Sequence, residues 1–387
     1  MQANDDVMRS ATAPMIPPTP RGPASAALLD VLLEAAADPS RLVESVRAAM
    51  AATPDLLRDD DLQLTLFALY ELQYGGIEGV DDRWEWDPTL LTARALIEER
   101  FEAELHAAIP TPALPEASAE AVAQALFDLT SADGGPSLSR FVAKKATDEQ
   151  LHEFLMQRSI YTLKEADPHS WAIPRLRGRA KAALVEIQSD EYGGGRPGRV
   201  HSAIFARTMR GLGLDDRYGT YVDSVSALTL ASLNMMSMFG LHRRLRGCIV
   251  GHLAAFEMTS SIPSRFYGNG FRRLGYGEDV TWYFDEHVEA DAVHEQIAGR
   301  DLAGGLVESD PGLLADVMFG AAACLAVDGW AAGEVLDAWT AGRSSLRTPA
   351  QEQGQGQARE QEQARASVAS LSQEPLPQAP LSQPLPA

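Results

Sequence analysis

The chain has 387 residues, 45% of them hydrophobic and 22% charged, which suits one large globular domain or two modest ones. Against 33 Lys and Arg stand 54 Asp and Glu, and the resulting net charge of -21 repels phosphate and argues against binding along a nucleic-acid backbone. Cys248 and Cys324 are too few and too far apart for a disulfide framework or a CxxC zinc site, so both read as core residues in a reducing compartment.

In chain order, residues 1–24 are rich in Pro, Thr and Ala and are expected to be a disordered tail. They lack the apolar run of a secretory signal, and no later stretch offers 18 charge-free apolar residues, so a cytoplasmic protein without a membrane partner is expected. Residues 25–131 repeat apolar side chains at spacings of three and four in SAALLDVLLEAAA, PSRLVESVRAAMAAT, DDLQLTLFALYELQY, PTLLTARALIEERFEAELHAAI and EASAEAVAQALFDLTS, predicting an N-terminal helical region. Glu71 within it reads as structural. After the turn cluster Ser131-Ala-Asp-Gly-Gly-Pro136 the helical pattern resumes and runs from 137 to 344 with no alternating strand pattern. Residues 345–387, Gln- and Pro-rich, have no apolar face to bury and are expected to be disordered. The fold class is therefore all-α.

Several groups carry chemistry. In WYFDEHVEADAVHEQ, His287, Asp291 and His294 are spaced four and three apart and fall within roughly a 60° arc of one helix face. In DEYGGGRPGRVH, Glu191 closes one helix and His201 opens the next, and the Gly/Pro-rich loop between them can bring both side chains to one point. A phosphate loop is rejected, because no Lys-Ser/Thr follows the glycines and no strand precedes them. YGNGFRRLGYG, Tyr267 to Gly277, lacks the dinucleotide spacing as well and reads as a helix-to-helix loop. Glu165 and Glu257 lie on otherwise apolar helical stretches, where a lone carboxylate is costly unless paired or metal-bound. Glu149 and His152 form an ExxH pair, but no second copy accompanies it, and it reads as surface. Three histidines and four carboxylates on helices, without thiolate, suit iron or manganese and are enough for two metals.

These residues carry a family resemblance. LKEADPHSWAIPRL, DEYGGGRPGRVHSAIFARTM, GHLAAFEMTSSIPSRFYGNGFRRLG and FDEHVEADAVHEQIA follow one another as in the heme-oxygenase-like diiron oxidases and oxygenases. The resemblance implies a seven-helix heme-oxygenase-like bundle holding two irons, Fe2+ or Fe3+, in place of heme, with O2 as co-substrate. It implies Glu165, Glu191, His201, His287, Asp291 and His294 as ligands, with Glu257 an additional carboxylate that is less uniformly a ligand. The N-terminal region resembles the helical extension of longer members, which implies a homodimer.

Members of the family N-oxygenate amines or guanidines, or desaturate, decarboxylate or cleave amino acids and fatty acids. The third histidine and extra carboxylate resemble the N-oxygenating members of secondary metabolism. A small-molecule substrate, an amine, guanidine or amino-acid derivative, is therefore expected, together with an external electron donor. Phe205, Asn234 and Met238 are candidates to line the substrate cavity, with core packing as the competing reading. A non-catalytic helical scaffold and a heme-retaining protein are the alternatives, the second disfavoured by the density of carboxylates.

Overall fold

The computed structural model describes residues 13–34, 38–131 and 137–347, except for the side chains of 289–292. The outer parts of both expected tails and most of the Ser131–Pro136 turn cluster lie outside the described residues. Among those described the fold is all-α, as the periodicity predicts, with one isolated parallel bridge, Met15 to Ile77.

The N-terminal half contains α1 (Pro23–Leu33), α2 (Ser40–Ala52), α3 (Asp60–Glu71), α4 (Pro88–Ala108) and α5 (Ala119–Ser131). The starts of α3 and α4 follow from their caps: Asp59 accepts the Leu62 amide at 2.8 Å, and Asp87 accepts those of Thr89 and Leu90 ahead of Pro88. Every residue of α3 from Asp61 to Glu71 is buried. This helix is thus enclosed, packing on α1, α4 and, across the chain, on α11 (Ala227–Leu241). There Asn234 donates to the backbone carbonyl and side chain of Gln63.

The second half runs through α6 (Leu138–Lys144), α7 (Asp148–Thr162), α8 (Asp167–Ser170), α9 (Gly178–Glu191), α10 (His201–Gly211), α11, α12 (Arg246–Met258), α13 (Ser261–Arg273) and α14 (Glu278–Gln296). A π-helical segment, Ile297–Gly304, continues α14 and leads into α15 (Gly305–Ser309) and α16 (Leu314–Thr340). All described residues lie in one compact unit, so the N-terminal helices are built into the same body as the rest.

Three expectations need correction. Residues 13–22 are not an unstructured tail: Met15 is 1% exposed and bonds Gly76 and Glu78 through its backbone, and Arg21 reaches the carbonyls of Val222 and Val225. At the other end Ser345 and Arg347 are likewise held, by Gln157, Glu153 and Asp60. Composition marked these stretches as unable to form a core of their own, yet a ready-made surface orders them. The third concerns Tyr267–Arg273, which belongs to helix α13 instead of a loop. Its glycines are there for proximity: a Cβ on Gly270 would come within 2.7 Å of the Val142 carbonyl on α6.

Residues 311–340 are long and apolar enough, by length and composition alone, to cross a bilayer, with half of the apolar window buried in the fold. Here the helix packs tightly on α12, where Gly247 and Gly251 face Asp316, Val317 and Ala321, and Gly320 faces Cys248. Both cysteines are buried free thiols, as expected. A Cβ on Gly320 would lie 2.0 Å from the Cys248 carbonyl, a backbone atom that cannot turn away. Gly320→Ala is therefore expected to lower stability by ~3 kcal/mol, read from the urea midpoint. Gly329→Ala on the same helix meets open space and should raise it by up to ~1 kcal/mol.

Candidate metal centre

Glu165 arrives first in the chain, and contrary to the sequence expectation it is not on a helix. α7 ends at Thr162, and Leu163–Ala166 form a turn in which Ala166 adopts φ 76°, a left-handed conformation that costs a residue with a Cβ about 1–3 kcal/mol. Gln188 from α9 holds the strained carbonyl of Ala166 at 2.8 Å. The turn leaves Glu165 buried, with both carboxylate oxygens accepting from the Tyr283 hydroxyl at 2.8 and 3.0 Å.

Glu191 is the last residue of α9 and His201 the first of α10. Gly193, Gly194 and Gly195 between them all have positive φ, and Gly193 approaches the Arg199 backbone so closely that a Cβ would sit 2.5 Å from its carbonyl carbon. The loop folds back as the sequence suggested, setting His201 Nδ1 2.8 Å from Glu191 Oε2. Both side chains are buried, and each offers an atom that could be ligand to a common ion.

α14 supplies two imidazoles in opposite senses. His287 donates from Nδ1 to the Tyr283 carbonyl at 2.7 Å, because a carbonyl only accepts, and this turns Nε2 towards Glu165 Oε1 at 3.6 Å. His294 places Nε2 3.1 Å from Asp190 and turns Nδ1 towards Glu257, at 3.5 Å, and Glu191, at 4.0 Å. Glu257, near the end of α12, completes the set.

The ligand-capable atoms form two groups. Those of Glu165, Glu191, His201 and His287 lie within 4.8 Å of one another, as do those of Glu191, Glu257 and His294, so Glu191 belongs to both. All six residues are buried. Asp291 lies on the same helix, but its side chain is outside the described residues.

The titration behaviour reflects the crowding. Burial pushes the Glu165 carboxyl up, but His287, His201 and Tyr283 together hold it below the usual range. Burial raises Glu257, and the charge of Glu191 adds to the shift. Burial lowers His294, yet Glu257, Asp190 and Glu191 outweigh it and bring the group up to about 9. Three carboxylates this close in a protein interior are costly without compensating positive charge. Imidazolium supplies part of it, and a divalent cation replacing those protons supplies more. Mixed oxygen and imidazole donors suit iron.

Four residues around the centre carried weaker signals in the sequence. Tyr283 stands four residues before His287 and Asp190 just before Glu191, spacings that show an orienting role only once the partners are known. His169, four residues after Glu165, lines a cavity of about 20 Å3 shared with Glu165, Glu191, Glu257 and His287. Its Nε2 lies 3.1 Å from Nδ1 of His252, and burial pulls His169 down to about 3, which makes it a neutral neighbour of the acids.

A larger cavity of about 290 Å3 opens on Glu165 and His287. The sequence candidates for its wall are corrected here. Phe205 packs edge-on against Tyr283, Asn234 bonds Gln63, and Met238 is fully buried, so none of the three lines it. The cavity wall from α11 is instead Thr229, Ser232, Leu233 and Met236, another face of that helix. ExxH residue Glu149 is exposed, and His152 bonds two backbone carbonyls.

Residues 152–329 match the iron-containing redox enzyme family. The chain is also 25% identical over 205 residues to a nitrosourea synthase of Streptomyces achromogenes subsp. streptozoticus, an alignment covering 52% of this chain and 43% of that protein. The chain therefore spans less than half the length of that relative.

Asp190 is mostly exposed and, among the described residues, touches the cluster through His294, so it can be altered without opening the core. Asp190→Asn is expected to weaken ferrous-ion binding about 10- to 100-fold, as loss of an imidazole-orienting carboxylate does, with an unchanged helical circular-dichroism spectrum. Anaerobic competition against a chelator measures it.

Proposed function

We propose that the chain, whose residues 152–329 match the iron-containing redox enzymes, binds two irons and activates O2 to oxygenate a nitrogen of a small amine, guanidine or amino-acid-derived substrate. The observation that carries this reading is Glu191, the carboxylate common to two adjacent buried donor groups. Glu165, Glu191, His201 and His287 would hold one ion and Glu191, Glu257 and His294 a second, with Glu191 available to both. When bound, the irons supply the reducing electrons that make O2 reactive.

The protein's residues have separate tasks. Tyr283 fixes both oxygens of Glu165, and Asp190 and the Tyr283 carbonyl fix the two imidazoles of α14. His169 and His252, neutral and buried, fill the space behind the carboxylates without adding charge. The larger cavity holds the substrate against the Glu165 and His287 side. In the balanced reaction an N–H becomes N–OH, the second oxygen atom leaves as water, and an external donor supplies two electrons and two protons. The relative named a nitrosourea synthase supports nitrogen as the oxidised atom, since a nitrosourea carries an oxidised nitrogen.

The test is anaerobic loading with ferrous iron, iron counting, and stopped-flow absorbance on mixing with O2. Wild-type protein is expected to take up about two irons per chain and to show a transient visible band. His287→Ala should bind fewer irons and lack the band. Wild-type uptake no greater than that of the variant, without a transient, overturns the proposal.

A further inference from the structure

The chain carries a net charge of -21, yet one face of it is basic. The stretches 137–147, which contains α6, and 258–277, which contains α13, hold Arg140, Lys144, Lys145, Arg265, Arg272 and Arg273 and no Asp or Glu, where the composition of the chain would place about four. All six are exposed. The two helices lie side by side: the Arg140 guanidinium sits 5.7 Å from the Phe266 ring centroid, and Arg273 donates to the carbonyls of Val142, Ala143 and Ala146. Arg272 pairs with Asp285 on α14. Among the described residues Arg140, Lys144, Lys145 and Arg265 enter no ion pair, so their charge is presented to solvent. Exposed Ile262 and Leu274, one at each end of α13, set apolar side chains among the cations, the mixture found on protein docking surfaces.

This face stands over the donor cluster. Phe271 of α13 is buried against Phe284 of α14 with centroids 5.1 Å apart, and Phe284 adjoins Tyr283 at 5.3 Å. Tyr283 in turn bonds Glu165 and lies 4.3 Å from the His287 ring. Three rings in contact thus bridge α13 and the residues that would hold iron, a short packed route along which an electron tunnels with no ring oxidised on the way. An extended polyanion is a poor occupant. A nucleic acid or a membrane laid across the face would also meet Asp148 and Glu149, where α7 begins, and Glu278 and Asp279, where α14 begins. A small globular partner with an acidic patch covers the cations and stops short of those acids.

We infer that the face formed by α6 and α13 docks a small acidic one-electron carrier protein, the external donor of the reaction. The assignment rests on the cluster being an O2-activating iron centre, because that reaction consumes two electrons per turnover. Each docked carrier is oxidised by one electron, so two encounters supply the pair, and solvent supplies the two protons.

The test uses the full-length protein, with iron counted in the same sample, and a flavodoxin as the probe. Calorimetry with oxidised flavodoxin is expected to show binding that weakens as ionic strength rises. The combined variant Lys144→Gln, Lys145→Gln, Arg265→Gln should weaken it at least about tenfold, whereas Arg177→Gln with Lys181→Gln, at the start of α9, should leave it within about twofold. In stopped flow, iron-loaded protein already exposed to air should oxidise fully reduced flavodoxin, and the triple variant should slow that step at least about tenfold with its iron content and helical circular-dichroism spectrum unchanged. No flavodoxin binding by the wild type, or binding that the triple variant leaves unchanged, overturns the inference. So does tighter binding to phosphatidylglycerol vesicles than to flavodoxin. A triple variant whose only change is a lower sedimentation coefficient overturns it too, by making the face a contact between copies of this chain. Two irons without docking defeats the surface assignment alone. Docking without iron uptake defeats the diiron reading and the donor role with it.

Discussion

Crowding three carboxylates, Glu165, Glu191 and Glu257, into the interior of a helical protein is the constraint on which the rest of this structure turns. Burial favours their neutral forms, and they can share one site as anions only if positive charge is brought to them. His201, His287 and His294 are placed to do this, and the directions of the shifts differ in an informative way. Glu165, facing two histidines and a phenol, is held below its ordinary range, whereas Glu257, facing Glu191, is driven up. An interior with this distribution of charge has a place for cations and little stability of its own to gain from the arrangement.

Regular helices cannot deliver six side chains to one point, and the local geometry departs from regularity where they are delivered. α7 breaks at a turn with a left-handed Ala166 so that Glu165 points inward. Three glycines with positive φ reverse the chain between Glu191 and His201. α14 passes into a π-helical segment three residues after His294, where the wider turn and Gly299 and Gly304 let it press against Met258 and Ala119. Each departure is compensated nearby, as by the Gln188 hydrogen bond to Ala166.

The N-terminal helices contribute support from behind. Lys164, the residue before Glu165, is buried and paired with Glu71 at the end of α3, with the Tyr74 ring 4.0 Å from its ammonium and the Tyr218 hydroxyl on the same carboxylate. Glu71 thus has the structural role its sequence context suggested. Burial pulls the lysine below its ordinary pKa, while Glu71 favours its charged form, so the pair is stable only as a unit. Through it, α3 fixes the backbone on which Glu165 depends.

The sequence by itself determined the all-α class, nearly all the helices and the residues now found in the cluster, because helical periodicity is a local property and buried His and Glu are rare enough to notice. It also showed that the glycine loop between Glu191 and His201 could join them, since both ends lie within a dozen residues. Only the tertiary structure decided the rest. That Glu165 lies in a turn, that residues 13–22 are ordered, and that Tyr267–Arg273 is helical all depend on partners far away in the chain. The same holds for the face of α11 that lines the cavity: Thr229, Ser232, Leu233 and Met236 line it, whereas Asn234 and Met238 pack elsewhere. A helix that is apolar on every side carries no signal of which neighbour each face will meet.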